Sequence, residues 1–254
     1  MLHDTGLVKT VKFGARKYVG DPINAVRIFN EKEADELIVL DIDATVRSQL
    51  PNFRLIERLA IECRMPICYG GGITTVEQAK QVIGLGVEKI ALSNAAISNP
   101  NLIGEIAAEV GTQSVVVIVD VKARRPGRGY DVVTHNATRK VGTPFAELVS
   151  SVERLGAGEI VVNSVDQDGT MLGYDLEPAL AVQRLTNLPL TILGGAGSLD
   201  DIAKAFAVLG VAGFAAGSLF VFKGPYRAVL INYPSREALD ELISNGLANV
   251  GLSQ

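Results

Sequence analysis

The chain has no tryptophan, only two histidines and two cysteines, and aromatic residues make up just 6% of its 254 positions. So little cysteine excludes a disulfide-stapled scaffold. Cys63 and Cys68 fit neither a metal site nor a redox pair by spacing, so both read as reduced thiols of a cytoplasmic protein, and neither a metal nor a cofactor is expected. Long apolar runs are missing, so nothing in the sequence can span a membrane, and no signal peptide is visible. Long basic runs are missing too. The net charge is −4, and the one positive cluster, Lys122-Ala123-Arg124-Arg125-Pro126-Gly127-Arg128, is short and broken by proline and glycine. It reads as an exposed loop that meets an anionic ligand rather than a nucleic-acid arm. With 48% hydrophobic and 20% charged residues, the chain can build a large core and is not disordered. Residues 1–254 are expected to form a single domain, with 1–21 as an N-terminal arm and loop and 235–254 as a C-terminal helix and tail.

What the chain does have is an internal repeat. Gly70-Gly71-Gly72-Ile73-Thr74 opens one copy, which continues through Ala79-Lys80, Gly86-Val87 and Ser93-Asn94. Gly194-Gly195-Ala196-Gly197-Ser198 opens the other, which continues through Ala203-Lys204, Gly210-Val211 and Gly217-Ser218, without a gap at an offset of 124. Each copy reads as a strand end, a glycine loop, a helix, a short strand and a second small-residue loop. Glycine loops leading into helices offer backbone N–H groups beside a positive dipole end, which suits phosphate. Two such sites in equivalent halves suggest a substrate with a phosphate at each end; tight turns alone are the other reading.

Apolar β-branched runs at Leu37–Ile42, Pro66–Tyr69, Lys89–Leu92, Ser114–Asp120, Glu159–Asn163, Leu190–Leu193 and Gly213–Ala216 alternate with helix-period segments near 22–33, 52–63, 75–86, 100–110, 143–156, 176–187, 199–210 and 235–246. Strand-then-helix repetition implies right-handed crossovers and a parallel sheet. The half-chain repeat favours closure into an α/β, (βα)8 TIM barrel; an open doubly wound sheet does not predict it. The first strand is missing or replaced. Only seven clear strands precede eight helices, and Leu7–Phe13, which alternates with lysines, looks like an exposed hairpin arm.

In such a barrel the active site lies at the C-terminal strand ends. Asp41, Asp43, Asp120, Asp166 and Asp168 all fall there. Asp120 follows five apolar residues, so desolvation could raise its pKa towards acid/base work; accepting loop hydrogen bonds is the alternative role. The stretch from Asp168-Gly169-Thr170 to Gly173-Tyr174-Asp175 reads as a loop wrapping a phosphate or ribose, or as a plain turn. Glu36, Lys89 and Glu159 sit at strand starts and would converge at the bottom, either closing the core as paired ends or gating a passage through it.

These residues carry a resemblance. Gly20-Asp21-Pro22, Ala34-Asp35-Glu36-Leu37, Leu40-Asp41-Ile42, Gly70-Gly71-Gly72-Ile73, Ser114 through Asp120, Gly156-Ala157-Gly158-Glu159-Ile160, Asp166 through Asp175 and Gly194-Gly195-Ala196-Gly197 together resemble HisF, the cyclase subunit of imidazole glycerol phosphate synthase, over nearly the whole chain. The resemblance implies a ribulose-phosphate-binding barrel that receives ammonia from a HisH-type glutaminase docked at its bottom. It also implies a lyase reaction of histidine biosynthesis, in which a bisphosphate ribulosyl-formimino aminoimidazole carboxamide ribotide and ammonia give imidazole glycerol phosphate and the carboxamide ribotide. By the same resemblance Asp120 is one of two catalytic aspartates. Gly72, Ser93 and Asn94 form one phosphate site, and Asp168, Gly169, Gly195, Gly217 and Ser218 form the other. Lys9 is the mobile-loop lysine, and Glu36, Lys89 and Glu159 are gate positions.

The departures from the family are specific. Its second catalytic Asp and an Arg of the gate are absent, and alignment places Met1 about where that Asp belongs. Asn163 stands where Thr is usual, and Ser93 where Asn is usual. Gly6 through Phe13, Lys223-Gly224-Pro225-Tyr226-Arg227 and Ile231-Asn232-Tyr233-Pro234 resemble a divergent branch that accompanies sugar amidotransferases in surface-polysaccharide synthesis. That resemblance implies a second possible role, as an ammonia conduit to a sugar amidotransferase in lipopolysaccharide synthesis.

Overall fold

The chain opens with three antiparallel strands, β1 (Leu2–His3), β2 (Gly6–Lys9) and β3 (Lys17–Gly20). The structure, a computed structural model, describes residues 1–124 and 128–251. Arg125 to Gly127 of the basic cluster and the last three residues of the C-terminal tail lie outside the described residues. After the arm, helices and strands alternate: α1 (Pro22–Glu31), β4 (Leu37–Leu40), α2 (Phe53–Glu62), β5 (Ile67–Gly70), α3 (Val76–Gly84), β6 (Lys89–Leu92), α4 (Asn94–Ser98), α5 (Asn101–Val110) and β7 (Val115–Ala123). A hairpin of β8 (Tyr130–Thr134) and β9 (Arg139–Lys140) pairs onto the end of β7. Then come α6 (Phe145–Arg154), β10 (Glu159–Ser164), α7 (Leu176–Leu185), β11 (Leu190–Leu193), α8 (Leu199–Leu209), β12 (Gly213–Ala215) and α9 (Ser218–Val221). A second hairpin, β13 (Phe222–Lys223) and β14 (Ala228–Val229), leads to α10 (Arg236–Gly251).

The strands β12-β11-β10-β7-β6-β5-β4 lie side by side in that order, all parallel. They curl around an axis as a TIM barrel in which, among the described residues, no strand fills the first position. The gap falls between β12 and β4. Among the described residues only its upper end is touched: Leu2 pairs in parallel with Asp41, and the Ile42 N–H donates to the Leu2 carbonyl at 3.2 Å. Below that point the edges of β4 and β12 face a cavity of about 1090 Å³. Phe29 of α1, Phe206 of α8 and Leu239 of α10 line it from outside. The last helix packs on α8 and covers the gap. Gly246 allows this close approach, because a Cβ there would stand 2.4 Å from the Phe206 ring. Among the described residues no helix is long and apolar enough to cross a membrane.

Strand alternation divides the apolar residues into two cores. Val115, Val117, Val119, Ile160, Val162 and Ile90 point outward and pack against the helices. Cys68, Ala91, Val116, Ile118 and Val161 point inward and fill the barrel, with Ile38, Leu40 and Leu193 beside them. The inward parity continues past this layer in both directions. Below it stand Glu36, Lys89, Glu159 and Thr191; above it stand Gly70, Asp120 and Asn163. A two-residue period therefore fixes which polar groups lie at the floor of the barrel and which at its mouth. Both cysteines are free, Cys68 within the barrel and Cys63 at the end of α2.

Candidate functional site

The upper cavity is lined by Lys9, Gly72, Ser93, Asn94, Asp120 and Gly217, so most of the candidate residues face one space. Glycine is required at several of these turns. Gly72 has φ +74 and a Cβ would lie 2.7 Å from the Gln49 carbonyl; Gly195 has φ +114 and a Cβ would lie 2.0 Å from the Gly173 carbonyl. No side chain fits either place.

The glycine loops differ from the expectation in one respect. The helices that follow them are already capped. Thr75 accepts the Gln78 N–H, while the Gln78 side chain accepts from the N–H groups of Thr74 and Thr75. Ser198 and Asp201 make the same reciprocal box at α8. Such boxes satisfy the N-cap and third-position donors of α3 and α8 and withdraw those from a ligand. Further unpaired donors belong to the loops. Among the described residues the N–H groups of Gly72, Ser93, Gly195 and Gly217 have no backbone or side-chain acceptor. They fall in two sets, one in each half of the repeat.

Asp120 ends the inward row of β7 above Ile118. Burial is the main reason its pKa rises to about 7; the charge of Asp168 adds to the rise, and the Asn163 amide, donating to its Oδ1 at 2.8 Å, works against it. A carboxyl near 7 exchanges a proton at physiological pH. The Oδ1 of Asn163 is buried with no partner among the described residues, so the mouth of the barrel keeps an unused acceptor beside the acid.

The other carboxylates at this face are committed to structure. Asp41 accepts the N–H groups of Asp43 and Ala44 at 3.0 and 3.1 Å. Asp43 is buried against His3, Arg16 at 3.0 Å and Arg47 at 3.4 Å. His3, Asp4 and Asp43 come close enough to suggest a metal site, but the two guanidiniums already neutralise the carboxylates. The cluster instead fastens the arm to the loop after β4. Asp166 accepts the Ala123 N–H at 2.9 Å. Asp168 accepts the Thr10 hydroxyl at 2.6 Å and the Phe13 N–H at 3.3 Å, and its carbonyl accepts the Lys12 N–H. Asp168 thus holds the arm over the loop that carries Gly169. In the same loop the Thr170 hydroxyl turns back to the Gln167 carbonyl, and the Tyr174 hydroxyl donates to Ala215. Gly169 carries φ +66, and a Cβ there would lie 2.0 Å from the Thr10 carbonyl.

Lys9, at the end of β2, reaches the second site. Its ammonium packs so close to Gly217 that a Cβ at that residue would lie 1.9 Å from Nζ. Burial lowers its pKa, Arg227 lowers it further, and Asp168 opposes both. Arg227 escaped sequence reading, although it stands in one of the divergent segments. The Lys-Gly-Pro-Tyr-Arg turn that ends in it was the available signal.

At the floor, Lys89 lies 3.1 Å from Glu36 and 3.0 Å from Glu159, whose other oxygen accepts the Thr191 hydroxyl at 2.7 Å. Burial opposes the Lys89 charge, but the paired carboxylates outweigh it and raise the pKa. The three gate candidates form one closed ionic bridge beneath the apolar layer. Glu159 and Thr191 line the same cavity as Asp120. In the basic loop, Arg124 and Lys140 pair with Asp131 across the β8 hairpin at 2.7 and 2.9 Å.

Comparison with known proteins agrees with this geometry. Residues 2–226 match the family described as histidine biosynthesis protein. A provisionally named imidazole glycerol phosphate synthase subunit HisF of Leptospira borgpetersenii is 55% identical over 94% of this chain and 95% of its own length. A provisionally named subunit hisF2 of Pseudomonas aeruginosa is 49% identical over 94% and 95%. The imidazole glycerol phosphate synthase subunit HisF of Lactococcus lactis subsp. lactis, named without qualification, is 38% identical over 79% and 77%. With a barrel of seven family strands, two sets of loop amides and an acid between them, this chain belongs to the HisF family of histidine biosynthesis proteins.

Proposed function

We propose that the chain performs the HisF reaction. Ammonia from a HisH-type glutaminase docked at the Glu36–Lys89–Glu159 face passes up the barrel. It reacts with a bisphosphate ribulosyl-formimino aminoimidazole carboxamide ribotide, giving imidazole glycerol phosphate and aminoimidazole carboxamide ribotide. The observation that carries this reading is Asp120, a buried carboxyl with a pKa of about 7 in a cavity that Gly72, Ser93 and Gly217 also line. In its acid form it gives a proton to the departing nitrogen; as carboxylate it takes one from the incoming amine. Such exchange is worth roughly 10²–10⁴ in rate. The phosphates bind at Gly72, Ser93 and Asn94 and at Gly169, Gly195, Gly217 and Ser218, with Lys9 at the second.

A second reading rests on the state of the other acids. Asp41, Asp43 and Asp168 are all bound by N–H, hydroxyl or guanidinium donors. Each of them is tied to a loop or the arm through at least one oxygen, which favours a reading in which cyclisation lacks a partner acid. The barrel then serves as an ammonia conduit to a sugar amidotransferase. Turnover of the ribulosyl substrate with ammonium salt, beside complementation of a strain lacking HisF, separates the two. Turnover lost in Asp120→Asn supports the cyclase. Absent turnover, with ammonia delivery to an amidotransferase intact, supports the conduit.

A further inference from the structure

The hairpin of β13 and β14 stands over the second anion site and carries a cation that the family reading leaves without a role. Arg227 occupies a left-handed position, φ +51, after the turn at Gly224. Its guanidinium lies over the Phe222 ring, 4.8 Å from the centroid. One Nη2 donates to the Gly169 carbonyl at 2.9 Å and approaches the Ser218 hydroxyl at 3.4 Å. Lys17 anchors the same turn by donating to the Arg227 carbonyl at 2.8 Å. A guanidinium has five N–H donors. Here Nε is buried and has no partner among the described residues. A buried donor without a partner costs free energy unless something binds it. Nearby, the Lys9 ammonium is buried against Gly217, and the two cations repel, as the lowering of the Lys9 pKa by Arg227 records. Asp168 offsets part of this repulsion at Lys9, but its Oδ2 already accepts from both the Thr10 hydroxyl and the Phe13 N–H.

We propose that Arg227 is a phosphate-binding residue of the second site, where its planar fork and the Lys9 ammonium hold the anion from two sides against the Gly195 and Gly217 amides. The inference rests on the phosphate-binding reading above and adds to it the hairpin as part of the site. A dianionic phosphate satisfies the idle Nε and removes the repulsion between the cations. Arginine suits the task because it contacts two phosphate oxygens at once, which lysine cannot do. The hairpin therefore selects for a terminal phosphate monoester at this end of the substrate.

The test uses the full chain and inorganic phosphate, with crystals soaked at millimolar concentration and titration calorimetry in solution. The parent protein should show anion at both sites. Arg227→Met keeps the aliphatic stem over Phe222 and should lose the anion at Gly217 while keeping it at Gly72, with affinity down about ten- to a hundredfold. Arg227→Lys keeps the charge without the fork and should fall between. If Arg227→Met proves to have lost the hairpin, as a lowered melting temperature would reveal, Arg227→Lys decides: affinity equal to the parent overturns the proposal. Arg227→Met that binds at both sites with unchanged affinity overturns it also, and leaves the two-phosphate reading standing. A parent protein with no anion at either site overturns that reading itself.

Discussion

Replacing Asp120 with Asn should stabilise the protein while removing its acid/base group. In the unfolded chain the carboxyl releases its proton near 3.8; in the folded protein it does so at about 7. Between those values the unfolded state binds fewer protons, so stability falls as pH rises. The loss is absent below pH 3 and complete above pH 8. At about 1.4 kcal/mol per unit the span amounts to roughly 4 kcal/mol. Asn has nearly the shape of the protonated acid and can keep a hydrogen bond to Asn163, whose amide rotates to match. Asp120→Asn should therefore melt higher than the parent at pH 8, by about 8–15 °C for a domain of this size, and only about 1–2 °C higher at pH 4. Calorimetric scans of both proteins from pH 4 to 8 provide the assay. Parallel curves, with no widening gap as pH rises, would refute the claim that burial holds this carboxyl in a penalised charged state. The acid/base assignment would then lose its physical basis.

Two further outcomes follow from the same geometry. Gly195→Ala places a Cβ 2.0 Å from the Gly173 carbonyl at a φ of +114. It should cost about 1–3 kcal/mol and abolish phosphate binding at that site alone, as read by anion density in crystals. Lys89→Ala leaves Glu36 and Glu159 facing each other without a cation and should lower glutamine-dependent activity of a complex with a glutaminase while sparing activity driven by ammonium salt; an equal fall in both would remove the gate assignment.

The fold was legible where long-range pattern and local propensity agree. Lys89–Leu92 and Leu190–Leu193 form strands at the expected residues, and α3, α7 and α8 lie within the helical segments read from apolar spacing. The seven-strand count held, whereas Val8 and Thr10, in a segment expected to be exposed, are buried. What escaped were the short elements. The helices α4 and α9, and the β8–β9 and β13–β14 hairpins, have too few residues to show a period, and their formation depends on neighbours distant in sequence. The site divides the same way. Asp120 could be placed by counting along a strand, since five apolar residues and the inward parity of Val116 and Ile118 fix both its depth and its direction. The glycine loops could be placed by their repeat, but not the capping boxes that close α3 and α8, because Thr75 and Ser198 read equally well as loop residues. Asp168 shows the limit most clearly. From sequence it is a candidate ligand; in the fold its carboxylate binds Thr10 across a separation of 158 residues. Sequence alternation thus fixes the radial position of a side chain, while its chemical availability is decided by partners that come only with the closed tertiary structure. Availability is what separates Asp120, whose single bond among the described residues is the Asn163 amide, from Asp43 and Asp168, which hold the arm in place.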